Sequence, residues 1–268
     1  MSPWDIIAIA AILLIGVPHG GLDGAVARRI GWPTGFFPWL GFHLVYMALA
    51  ASVSVLWWLF PFPSLGVFLL ISALHFGASD IVDKGKDWLP WFAHGGLVCI
   101  AIPNLQPLLV EPIFAILVGV DNASLLMSGI SYLFIPWLFC LIGYCIYAYV
   151  KPQYRKPLSH LIILIFLASI LPPLISFSLY FCLWHSRGHM RRLWLSLAQP
   201  ERNHSLLEAA IYTATAWISA GIIFYYLQGS AATSLIQLTF IGLAALTLPH
   251  MLLVDYADRK SYKREAML

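Results

Sequence analysis

Residues 183–192 read LWHSRGHMRR and place His185 and His189 four positions apart at the end of a long apolar run. On a helix, residues i and i+4 share a face, so two imidazoles at this spacing can turn toward one metal ion. The same spacing also suits two interfacial histidines beside arginines whose stems lie along the lipid while their heads reach water. Two further stretches carry related chemistry. In VPHGGLDG (17–24) His19 precedes Asp23, and in ALHFGASDIVD (73–83) His75 precedes Asp80. A metal-bound imidazole usually gives its other N–H to a carboxylate or carbonyl, which fixes tautomer and ring. Asp23 and Asp80 suit that supporting role, although aspartates also cap helices with no metal present. Gly20, Gly21 and Gly77 stand beside these histidines and permit close backbone approach. LPHMLLVD (248–255) repeats the Pro-His pairing, and Asp255 follows His250 as Asp80 follows His75. His250 is expected to support the ligand histidines or the fold, with direct ligation as the alternative.

The donor set narrows the ion. No cysteine falls in register with the histidines, which disfavours structural zinc. Neutral imidazoles suit iron, copper, zinc or nickel. Four nitrogens from His19, His75, His185 and His189 on an octahedral ferrous ion would leave two positions open, enough for dioxygen beside a substrate. The residues therefore point to non-haem iron and O2 acting on an apolar molecule. No serine or cysteine nucleophile with a partnered base is visible, which disfavours hydrolysis.

The elements that must position these residues are membrane helices. The 268-residue chain is 60% hydrophobic and 10% charged, against about 25% charged in an ordinary soluble domain. A spanning helix needs roughly 20 apolar residues, and the uncharged stretches hold eight or nine. The fold expected is an all-α polytopic membrane bundle, one domain over 1–268, its first apolar run retained as a span because it lacks a basic leader and cleavage pattern. All 15 lysines and arginines fall in five places: Arg28 and Arg29; Lys84 and Lys86; Lys151, Arg155 and Lys156; Arg187, Arg191, Arg192 and Arg202; and Arg259, Lys260, Lys263 and Arg264. Positive loops stay in the cytoplasm. Nine spans put all five groups there, with the N-terminus outside and the C-terminus inside the cell membrane: 4–20, 36–60, 64–82, 88–120, 129–150, 157–171, 173–187, 206–228 and 232–254. Eight spans would put Lys151, Arg155 and Lys156 outside. The nine-span reading splits 157–187 at Pro172-Pro173 into helices of about 15 residues, roughly 23 Å each, short of the ~30 Å hydrocarbon core. It also puts His19, His75, His185, His189 and His250 at one inferred depth, where ionisable residues are functional candidates.

At these residues the sequence resembles the Brp/Blh family of microbial membrane carotene dioxygenases. PHGGLDG, LHFGASD, WHSRGHMRR and LPHMLLVD carry the resemblance and spread over nearly the whole chain. It implies cleavage of β-carotene at its central 15,15′ double bond by dioxygen, giving two all-trans-retinal molecules. It further implies a ferrous ion bound by the histidines at matching positions, here His19, His75, His185 and His189. A microbial rhodopsin would be a natural consumer of the retinal.

β-Carotene has no polar handle, so its pocket must be apolar. Phe76, Tyr180 and Trp184 flank the expected ligands and are candidate lining residues, with helix packing as the competing role. His43 and His94 read as core histidines bonded to backbone or water, and His160 and His204 as solvated. The cysteines read as small hydrophobes without a disulfide role. No basic patch interleaved with aromatics points to nucleic acid. Three rivals carry distinct signatures. A haem-binding electron carrier would show a haem absorption band. A di-iron desaturase needs many clustered histidine boxes, and this chain has one H-x-x-x-H. A retinoid or proton transporter would work without metal.

Overall fold

The structure is a computed structural model describing residues 2–81 and 87–265, with side chains through Ala257 apart from Pro200. Lys84 and Lys86 lie outside the described residues, as do the side chains of Arg259, Lys260, Lys263 and Arg264. Among the described residues every regular element is helical: α1 (Pro3–Ala11), α2 (Asp23–Arg29), α3 (Phe36–Leu59), α4 (Pro61–Asp80), α5 (Trp88–Gly96), α6 (Ile102–Leu105), α7 (Pro107–Val118), α8 (Val120–Val150), α9 (Arg155–Ile170), α10 (Pro173–Ser178), α11 (Arg187–Ser196), α12 (Gln199–Tyr226) and α13 (Ala231–Glu265). Tighter or wider turns join several of them. Val17–Leu22 is 3₁₀, and Ile12–Gly16, Leu97–Ala101 and Leu179–Ser186 are π-helical.

Six of these runs are long and apolar enough to cross a bilayer: Pro3–Arg29, Phe36–Leu59, Pro61–Asp80, Val120–Val150, Glu201–Tyr226 and Ala231–Ala257. Trp88–Leu105 and Pro107–Val118 make a seventh if that pair, bent by 109°, counts as one. This is fewer than the eight or nine expected, and the difference lies in 155–196. There α9 has only 16 residues, and the run beyond Pro172-Pro173 meets Arg187, Arg191 and Arg192 in its second half. Neither piece offers about 20 apolar residues.

The chain forms two compact units, one of Met1–Ala10 with Phe60–His185, the other of Ala11–Leu59 with Ser186–Leu268. In the first unit the backbones of α4 and α5 come close because glycine lines the contact. A Cβ on Gly95 would stand 2.1 Å from the Ala73 carbonyl oxygen, and one on Gly77 2.4 Å from that of Trp91. The indole of Trp91 donates to the Leu74 carbonyl (3.1 Å) and that of Trp137 to Ala93 (3.1 Å). The 109° bend falls at Gln106, where the following Pro107 disfavours helical backbone. Gln106 donates to the Ala168 carbonyl (2.6 Å) and to that of Leu171, so it satisfies the end of α9. Asp87 accepts from Tyr147 and, at 2.7 Å, from Tyr154, with Lys151 3.5 Å away. These hydrogen bonds, Tyr147's foremost, hold its carboxyl below the usual range, while burial and Asp87 push the Tyr154 phenol up.

In the second unit α2 ends in a Schellman motif. Gly31 at φ +85° lets its N–H reach Arg28 O (2.9 Å) and the Trp32 N–H reach Ala27 O (3.0 Å). Arg28 pairs with Glu208 (2.7 Å) and Arg29 donates to Ser196 (2.9 Å), tying α2 to α12 and α11. Leu22, Val26, Leu193 and Ala257 form a buried apolar cluster between α2, α11 and α13. The indole of Trp217 satisfies the Leu13 carbonyl in the first π segment (2.9 Å).

Candidate functional site

Each unit buries one cluster of histidines around one aspartate. In the first unit, α4 supplies His75, Phe76 and Asp80, and the π segment Leu179–Ser186 supplies Tyr180 and His185. Single π turns inside helices occur frequently at functional sites. Tyr180 donates to Asp80 Oδ2 at 2.8 Å, and His185 Nδ1 lies 3.3 Å from Asp80 Oδ1. A carboxylate can only accept, so that contact puts the proton on Nδ1 and the lone pair on Nε2. The His75 and His185 rings meet edge to face at 5.2 Å, and both residues are 2% exposed. Phe76 packs on His185 at 4.7 Å and on Tyr180 at 5.2 Å. His94 of α5, 1% exposed, brings its Nδ1 to 3.9 Å from Asp80 Oδ2.

In the second unit the cluster is His19, His189 and His250 with Asp23 and Tyr46. His250 Nδ1 lies 2.7 Å from Asp23 Oδ1, and Tyr46 of α3 donates to Asp23 Oδ2 at 2.8 Å. His19 Nδ1 donates to the Gly16 carbonyl, with Ser186 Oγ at 3.3 Å. Ring centroids are 4.9 Å apart for His19–His250, 5.2 Å for His189–His250 and 6.0 Å for His19–His189. The three histidines and Asp23 are buried, Asp23 at 2% exposure, and Tyr46 is half-buried.

Several expectations meet a different arrangement. Asp23 was expected behind His19 and instead holds His250. The cause is the 3₁₀ backbone of 17–22: at three residues per turn, positions four apart stand roughly 120° from one another and do not share a face. Asp80 takes Tyr180 and His185 as partners. Tyr180, expected to line a substrate pocket, spends its hydroxyl on Asp80. Trp184 is half-buried and packs on His160 at 4.2 Å, so His160 is part of the packing. His94 is a buried neighbour of Asp80, and His43 donates to the Trp39 carbonyl at 2.7 Å. His204 is exposed, 3.6 Å from Glu208. Gly77 and Gly21 do sit against backbone, whereas Gly20 has open space. The residue missed outright is Tyr46, which lies in the uniformly apolar α3 and carries no local signal. The four cysteines are free thiols.

The donors suit a borderline metal ion: buried imidazoles, several with Nδ1 committed to a carboxylate or carbonyl and a lone pair on Nε2. Metal–nitrogen bonds of about 2.1 Å put rings that share an ion roughly 4.5–5.5 Å apart by centroid. The His75–His185, His19–His250 and His189–His250 pairs have that spacing. Among the described residues no three His, Cys, Asp or Glu side chains have donor atoms already converged for an ion. The rings are thus neighbours before they are a cage.

Fold and site together define a helical membrane protein with two buried histidine–carboxylate clusters. The family model described as beta-carotene 15,15'-dioxygenase matches residues 10–258, and the chain belongs to that family. It is 35% identical to the beta-carotene 15,15'-dioxygenase of uncultured marine bacterium 66A03, over 97% of this chain and 96% of that protein. It is 25% identical to the probable beta-carotene 15,15'-dioxygenase Blh of Halobacterium salinarum, over 94% of this chain and 83% of that protein. No solved structure matches the chain.

Proposed function

We propose that this protein cleaves β-carotene at the central 15,15′ double bond, with one O2 consumed and two molecules of all-trans-retinal formed. The observation that carries the reading is the near end-to-end match to a dioxygenase of that name at 35% identity. We further propose that a non-haem ferrous ion, bound by His19, His75, His185 and His189, supplies the redox centre that activates dioxygen. The chain's own residues do the rest. Asp80 holds the ring of His185 in the Nδ1–H tautomer and partly offsets the charge of the ion. Asp23 does the same for its own cluster. Phe76 walls the ring of His185 from water, which discourages side reactions of an activated oxygen. A hydrocarbon substrate reaches such a site from the lipid, and the retinal leaves the same way, toward a consumer such as a microbial rhodopsin. The protein would sit in the cell membrane with its N-terminus outside and its C-terminus in the cytoplasm.

Expression in β-carotene-producing bacteria tests the reading. Colonies should bleach as retinal accumulates, and the purified protein should contain iron without a haem band. Absence of retinal from well-expressed, iron-replete protein sinks it. His75→Ala should remove both iron and activity while the protein stays in the membrane, and normal iron content in that variant would take His75 out of the ligand set.

A further inference from the structure

The geometry points to His250 as a fifth imidazole ligand of the iron, a role beyond the four histidines of the reading above, on which this inference rests. Two observations, each within one unit, carry it.

The first is a repeated device. In the first unit a tyrosine (Tyr180) donates to an aspartate (Asp80), which faces Nδ1 of a histidine (His185), whose ring meets a second histidine (His75) edge to face at 5.2 Å. In the second unit Tyr46 donates to Asp23, which holds Nδ1 of His250, whose ring meets His19 edge to face at 4.9 Å. Residue for residue, His250 stands where His185 stands. The His250 bond is the better formed, 2.7 Å against 3.3 Å. A carboxylate behind Nδ1 raises the basicity of Nε2 and fixes the ring, the arrangement found behind metal-bound histidines. The half-buried Tyr46 phenol anchors that carboxylate in turn, so the ring of His250 is held in one orientation.

The second is distance. The centroids of His19, His189 and His250 form a triangle with sides of 4.9, 5.2 and 6.0 Å. The circle through its corners, of radius abc/4K for sides a, b, c and area K, puts all three centroids about 3.1 Å from one point. An ion about 2.1 Å from an imidazole nitrogen lies roughly 3.2 Å from the ring's centre. Turning a ring about its Cβ–Cγ bond hardly moves its centroid, so centroids mark ligand positions before the nitrogens have closed on an ion. An ion within reach of His19 and His189 is then within reach of His250.

The test counts imidazoles on a bound ion. In the full-length protein loaded with Co2+, each ligating histidine contributes one strongly shifted, exchangeable ring N–H proton to the NMR spectrum. Five such signals are expected in the wild type and four in His250→Gln, which keeps an amide donor for Asp23. The same variant should bind Co2+ more than about tenfold more weakly, as loss of even an outer partner of a ligand costs roughly 10–100-fold. Four signals in the wild type, or a count that His250→Gln leaves unchanged, overturns the proposal while the four-histidine site stands. If the wild type binds neither Fe2+ nor Co2+, the iron reading itself fails. Should His250→Gln not accumulate, Asp23→Asn serves in its place. It should displace one of five signals, and five undisturbed signals would overturn the proposal.

Discussion

Asp23 and Asp80 each accept from a phenol and face an imidazole, and this pairing decides what the histidines can do. A buried carboxylate without donors would be costly, so Tyr46 and Tyr180 are the partners that let the aspartates remain as acceptors behind the rings. Asp80→Asn keeps the shape and replaces one acceptor oxygen by a donor, which removes the preference for Nδ1–H on His185. Iron affinity should fall by about 10–100-fold and retinal yield with it, as measured by iron bound per polypeptide across a series of free-iron concentrations. Unchanged affinity would reduce Asp80 to a packing role. The histidines themselves were legible in the sequence because a charged or ionisable residue in an apolar run is conspicuous. Their partners were not: spacing paired His19 with Asp23, while the 3₁₀ turn around Pro18 sends that carboxylate to His250, more than 200 residues away in the chain.

At the scale of elements, the first unit depends on how closely α4 approaches α5. Small residues let membrane helices meet backbone to backbone, where dispersion and close packing replace the hydrophobic drive. Gly95 is the tightest point, since its Cβ would fall 2.1 Å from a backbone oxygen that cannot move aside alone. Gly95→Ala should therefore force the two helices apart, costing at least the ~1–3 kcal/mol of ordinary overpacking. Because α4 carries His75 and Asp80, iron occupancy should drop together with the Tm in detergent. Gly129→Ala on α8, where a Cβ meets nothing within 4 Å, is the control and should be neutral or slightly stabilising through helix propensity. Equal Tm values for the two variants would refute the close-packing account. This contact was only half visible in the sequence, which shows the glycine beside His75 but not the partner helix that needs Gly95.

At the scale of the whole chain, composition established a helical membrane protein, and hydropathy located the long spans, because about 20 apolar residues in a row have few other uses. Hydropathy does not show the 109° bend within 88–118 and leaves 155–196 short of two full spans, since a window reads composition and not the turn that Gln106-Pro107 or Pro172-Pro173 imposes. Charge contacts within each unit bear on the same question. In the first, Lys151 lies 3.5 Å from Asp87, and Tyr154 donates to that carboxylate, so residue 87 and residues 151–154 share one end of the unit. In the second, Arg28 and Arg29 bond to Glu208 and Ser196, so those basic segments also share an end. An even number of crossings must then separate 87 from 151, which the bent pair and α8 provide as two. In the nine-span expectation, which follows the positive-inside rule, Lys156 is cytoplasmic and the 16-residue α9 and the run after Pro173 cross as a short pair, through protein surroundings or a thinned bilayer. Alkaline phosphatase fused after Lys156 should consequently be inactive and a fluorescent protein fused there bright, whereas phosphatase fused after Ser230 should be active. Phosphatase activity at Lys156 would mean that Lys151, Arg155 and Lys156 face outward, as eight spans would have them.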